Sequence, residues 1–123
     1  MEVQTEKIAV LLKKVGVKPA LSGWRALTEG IQMTIEQPDI LYHGVTKVLY
    51  PTIAKKVGGT PSSVERNIRH AITEAFKNMP LNVMKAVFGY SIDVERTCAT
   101  NSEFIGALAQ VIADEPNNPV WSM

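Results

Sequence analysis

Two prolines ten residues apart, Pro51 and Pro61, constrain this chain more than any other feature. Proline has no N–H and its ring clashes with the preceding turn, so it breaks a helix interior but suits a helix's first turn. Between the prolines stand Gly58 and Gly59, and Thr60 directly precedes Pro61. Gly58 is free to adopt left-handed backbone and reverse the chain, and Thr60 has the short hydroxyl of an N-cap. The stretch YPTIAKKVGGTPSSVERNIRHAITEAFK therefore predicts a short helix from Pro51 to Val57, a glycine turn, and a longer helix from Pro61 to about Asn78. In the longer helix Val64, Ile68, Ala71, Ile72 and Ala75 recur at i, i+4, i+7, i+8 and i+11, the spacing of a buried stripe. On the short helix Ala54 faces inward, where a small side chain permits close approach, with Ile53 and Val57 beside it.

The rest of the chain follows the helical period. Ile8, Leu11, Leu12 and Val15 make one stripe that stops at Gly16. Ser22 is placed to cap a helix carrying Trp24, Leu27, Ile31 and Ile35, which ends before Pro38. A third helical stretch spans roughly Ile40 to Tyr50. Pro80 opens a short helix ending near Gly89, and Thr100 with Glu103 has the spacing of a capping box, starting a last helix through Ile112. No segment alternates as a strand does, and no internal repeat or low-complexity segment occurs. The expected architecture is all-α: about six helices in one domain over residues 1–113, with a helix-turn-helix at about 50–77. Residues 114–123, with two prolines, are expected to form a loose tail, whose Trp121 has the size to dock on the domain. Trp24, Phe76 and Phe88 are expected in the core.

Composition excludes several classes. With 46% hydrophobic and 20% charged residues the chain is globular rather than disordered. No apolar run approaches the ~20 residues of a membrane span, and the first residues do not resemble a secretory signal, so the cytoplasm is the expected compartment. One cysteine, Cys98, forms no internal disulfide. It has neither His nor Lys near it in sequence, so nothing points to an activated thiol. His43 and His70 with Cys98 lack metal-ligand spacing; His43 is expected to be structural. No catalytic pair and no phosphate-loop pattern is present, so neither enzyme activity nor a cofactor is expected.

The net charge of +1 hides an uneven distribution. Residues 1–42 are balanced. Residues 43–90 hold Lys47, Lys55, Lys56, Arg66, Arg69, Lys77 and Lys85 against Glu65 and Glu74, a local +5, and residues 91–123 carry −4. A basic zone in a near-neutral domain suits a localised polyanion. At about 3.6 residues per turn, Ser62, Arg66, Arg69 and Thr73 fall opposite the buried stripe of the longer helix, with Glu65 and His70 on its flanks. Arginine can grip guanine O6 and N7 with two bonds, and a glutamate can accept from the cytosine amino group. The helix N-terminus, with Ser62 and Ser63, favours a nearby phosphate. Lys47, Lys55 and Lys56 supply further candidate phosphate contacts. Two other readings stand beside this one: an ordinary solvated surface helix with Glu65 and Arg69 as an i,i+4 pair, and a helical protein-interaction domain whose basic face meets an acidic protein partner.

At these same residues the chain resembles the C-terminal effector domain of the master sporulation response regulator family of endospore-forming bacteria (stage zero sporulation protein A). The matching stretches are TKVLYP (Thr46–Pro51), IAKKV (Ile53–Val57), VERNIRHAI (Val64–Ile72), FGY (Phe88–Tyr90) and TNSEFI (Thr100–Ile105). The resemblance spans roughly residues 6–113. It implies a six-helix domain that binds double-stranded DNA at a short TGTCGAA-like box, often as tandem head-to-tail copies. It implies base-reading roles for Glu65, Arg66 and Arg69, with Ser62 and His70 near the backbone. It also implies that the helix after the recognition helix, about Asn78 to Tyr90 and including Asn82 and Lys85, faces RNA polymerase's primary sigma factor. Asn67 stands where the family usually has alanine. The receiver domain that normally precedes such a module is not within these residues, so the chain is expected to be an effector module cut from a longer protein.

Overall fold

The glycine stop after Val57 and the start at Pro61 are in place in the computed structural model, which describes residues 2–89 and 98–123, while at Pro51 the chain is already helical. Seven α-helices are found among the described residues, rather than about six, and no strand: α1 (Glu2–Lys14), α2 (Ser22–Glu36), α3 (Ile40–His43), α4 (Tyr50–Val57), α5 (Pro61–Asn78), α6 (Leu81–Phe88) and α7 (Asn101–Ala113). The stretch expected as one helix from Ile40 to Tyr50 is split at Gly44. One turn of α3 precedes Gly44, and a π-helical turn, Val45–Leu49, runs from it into α4. Its bond from Leu49 N–H to the Gly44 carbonyl spans five residues at 2.7 Å.

Two helix starts are capped as their sequence chemistry predicts. The Thr60 hydroxyl accepts from Ser63 N–H (3.1 Å) and the Ser63 hydroxyl accepts from Thr60 N–H (2.9 Å), a reciprocal cap that starts α5. Thr100 and Glu103 do the same for α7. Ser22, expected as a cap, is instead the first residue of α2; Leu21 occupies the cap position and no side chain caps it. Between α4 and α5, Gly58 and Gly59 both carry positive φ (90° and 92°), which L side chains adopt only at a cost.

α2 lies at the centre, packed against α1, α4, α5 and α7. Ile8, Leu11, Leu27, Ile31, Ile53, Ile68, Phe104 and Leu108 are fully buried around it. The α5 stripe is inward as its spacing demands, with Val64, Ile68, Ala71, Ile72 and Ala75 all buried. Phe88 is buried and joins Phe76 and Phe104 at ring-centroid separations of 5.3–6.3 Å, linking α5, α6 and α7, while Trp24 and Phe76 are half-buried against the core. Residues 114–123, whose prolines suggest a loose tail, lie against the domain. Val120 is fully buried, Asn118 donates to the Ala86 carbonyl (2.8 Å), Glu115 pairs with Lys7, and Trp121 packs partly against the core.

α2 and α5 approach very closely at Gly23. A Cβ there would meet the Asn67 carbonyl oxygen at 2.4 Å and the Ala71 Cβ at 2.7 Å, so α2 and α5 touch backbone to backbone. Gly23→Ala is expected to force the two helices apart and destabilise the domain by about 1–3 kcal/mol, the usual range for overpacking. At roughly 4 °C per kcal/mol this is plain in a thermal melt. An unchanged melting temperature would mean the helices are not in contact there.

Candidate nucleic-acid interface

α5 is a well-started helix with one face given to the core. Its cap and Pro61 fix where it begins, and the stripe fixes its roll, so the remaining face is set by sequence position. On that face Ser62, Arg66, Arg69, His70 and Thr73 are exposed, and Glu65 is half-buried at its edge. The Glu65 carboxylate forms an ion pair with the Arg69 guanidinium one turn along. Such a pair adds little stability on a surface, but it restricts where the guanidinium points. The Thr73 hydroxyl donates to the Arg69 carbonyl (2.9 Å), and the Ser63 hydroxyl is committed to the cap. Ser62 is left as the open hydroxyl of the first turn. Arg66 and His70 have no ion-pair partner among the described residues. Further along, Lys77 hydrogen-bonds Glu74 at 2.8 Å and holds that carboxyl below its ordinary range.

The three lysines separate. Lys47 is exposed on the π-helical turn, whose neighbouring Thr46 lines a shallow cleft with Tyr50, Pro61, Ser62 and Glu65; this brings that turn beside the start of α5. Lys55 is exposed on α4 and unpaired among the described residues. Lys56 is drawn toward α2: its ammonium lies 3.4 Å from Glu29, and its carbonyl accepts from Arg25 at 3.0 Å. Asn78, Asn82 and Lys85 are exposed at the end of α5 and on α6; Tyr90, at the far limit of that segment, lies outside the described residues. His43 is exposed at the end of α3 rather than built into the core.

Two residues at the site drew no role from the helical pattern, though both lie in stretches that carry the family resemblance. Asn101, at the start of α7, donates through Nδ2 both to the Tyr50 hydroxyl (3.0 Å) and to the Glu65 carbonyl (3.1 Å). Burial pushes the Tyr50 phenol above its ordinary pKa, and the Asn101 bond partly offsets that, so it is a neutral hydroxyl under ordinary conditions. Neither residue belongs to an apolar stripe, and the partners are far apart in sequence, so only the fold brings them together. No cluster of three or more metal-ligating side chains occurs among the described residues, and no helix among them is long and apolar enough to cross a membrane.

An all-helical domain that offers an arginine-bearing helix face beside exposed lysines has the form of a DNA-binding regulatory domain. The family model for the C-terminal domain of the sporulation initiation factor Spo0A matches residues 8–112, and the chain belongs to that family. The family consists of DNA-binding effector domains that regulate transcription in sporulation.

Proposed function

We propose that α4, the Gly58–Thr60 turn and α5 form a helix-turn-helix in which α5 reads a TGTCGAA-like box in the major groove. The observation that carries this reading is the open face of α5: Arg66 and Arg69 stand exposed within its first turns, opposite a fully buried stripe. Each guanidinium has the fork geometry for guanine O6 and N7, and Glu65 is placed to accept from a cytosine amino group or to aim Arg69. Ser62, Ser63, His70, Lys47, Lys55 and Lys56 contribute to the phosphate side, Ser63 through the cap that holds the α5 N-terminus open. Lys56 must exchange Glu29 for a phosphate to do so. Tandem boxes would seat two copies head to tail. Titration of the domain with a TGTCGAA-type duplex against a scrambled one tests the reading; equal affinity for both removes it.

Binding is expected to weaken steeply with salt. With about four phosphates neutralised per domain, log K falls against log salt with a slope of roughly −3 to −4. A slope near zero would point to a protein partner or an apolar contact instead.

The same proposal assigns the exposed surface at Asn78, Asn82 and Lys85 to the polymerase sigma factor. Leu81, 63% exposed between them, supports it, since an open apolar side chain ringed by polar ones is suited to a protein contact. Alanine substitutions at Asn78, Asn82 and Lys85 are expected to leave operator binding intact and to lower transcription from a reconstituted promoter several-fold. Parallel loss of both would make this segment structural.

A further inference from the structure

The position of α5 is fixed by two kinds of contact. Its stripe of Val64, Ile68, Ala71, Ile72 and Ala75 binds it to the core and sets its roll coarsely, but apolar contact is non-directional and leaves small displacements about and along the axis unchecked. Direction comes from hydrogen bonds, and one set falls on the residue at the edge of the reading face. Asn101 sits in the first turn of α7, whose backbone is held by the Thr100–Glu103 capping box. Its amide donates to the Glu65 carbonyl and to the hydroxyl of Tyr50, the first residue of α4. A carbonyl can only accept, so the orientation of that amide is settled by the Glu65 bond. In an α-helix the same carbonyl takes the N–H four residues on, that of Arg69. Glu65 is thus anchored to α7 and α4 through its backbone and holds Arg69 through its carboxylate.

We infer that Tyr50 and Asn101 form a latch that sets the register of Glu65 and Arg69 against the bases, making both positioning residues that determine sequence discrimination. The inference rests on the reading of α5 as the recognition helix. Base recognition through paired hydrogen bonds tolerates displacements of only about 0.5 Å. Phosphate attraction is long-ranged and tolerates far more. Loosening the latch therefore acts on discrimination while leaving the sequence-independent part of binding in place. Neither residue carries charge, so the salt response stays as it was.

The test uses Asn101→Ala and Tyr50→Phe, the second keeping the ring that fills the space while removing only the hydroxyl. For each, affinity for a TGTCGAA-type duplex and for a scrambled duplex is measured at one salt concentration, with the salt slope and the melting temperature. The expected result is that Asn101→Ala loses about tenfold in the ratio of the two affinities, as for one to two lost hydrogen bonds. Tyr50→Phe loses less, and both keep scrambled-duplex affinity and salt slope. A merely structural role would lower the melting temperature and weaken both duplexes by the same factor, which overturns the proposal. An unchanged ratio in both variants overturns it as well. If the unaltered domain does not discriminate between the duplexes, the recognition-helix reading fails and the latch with it; if it does discriminate and the variants match it, the latch alone fails.

Discussion

Arg66→Ala combined with Arg69→Ala is expected to lower affinity for a TGTCGAA-type duplex by about 2–6 kcal/mol, taking about 1–3 kcal/mol for each lost bidentate base contact. The fold should survive, because both side chains are exposed and neither belongs to the core. The two single variants should differ. Arg66 has no carboxylate partner among the described residues, so its removal deletes a contact and nothing else. Removing Arg69 also frees the Glu65 carboxylate, which then faces the phosphates uncompensated. Arg69→Ala should therefore be the worse of the two. Adding Glu65→Ala to it should recover part of the loss, since paired residues do not act additively. Competition titrations with matched melting curves measure this. Operator affinity unchanged in the double variant would remove α5 from the DNA.

Phe104→Ala is expected to cost about 3–5 kcal/mol of stability, among the larger effects of a single truncation. Phe104 is fully buried on α7, and its ring meets Phe88 of α6 at 5.6 Å and Phe76 of α5 at 6.3 Å. Its loss removes buried apolar area and leaves a void at the junction of three helices, which cannot all close on it at once. At roughly 4 °C per kcal/mol the melting temperature should fall by about 12–20 °C. Phe76→Ala should cost less, because that ring is only half-buried. An unfolding free energy from denaturant titration lowered by less than about 1 kcal/mol would mean the site collapses readily and the three rings are not the joint between α5, α6 and α7.

How much of this was legible in the sequence depends on the distance over which a cause acts. Thr60–Pro61 and Thr100–Glu103 act within one turn, so both helix starts and both caps were readable, and the α5 stripe gave the exposed face as well. Gly44, a weak helix former, stands where the backbone leaves helical geometry (φ −139°, ψ 16°), but the apolar residues on either side suit a continuous helix. Ser22 had the right chemistry for a cap one residue too late. Val120 looked like part of a loose tail because its partners are on other elements. Lys56 looked like a free cation until the fold set it beside Glu29, and the bonds of Asn101 span 36 and 51 residues. Local pattern thus exposed the open face of α5, while the residues that hold that helix in place were hidden in tertiary contact.

The meeting of α2 and α5 at Gly23 also bears on which positions of the chain are open to drift. What Gly23 meets at Asn67 is a backbone oxygen, which every amino acid supplies. The side chain at 67 is therefore unconstrained by that contact, and the half-buried asparagine there is accommodated without adjustment at Gly23. Position 23 has no such latitude, since any side chain collides with a main-chain atom that no substitution at 67 can withdraw. In a saturation library the two ends of one contact would behave oppositely, with many residues recovered at 67 and side chains increasingly depleted with size at 23.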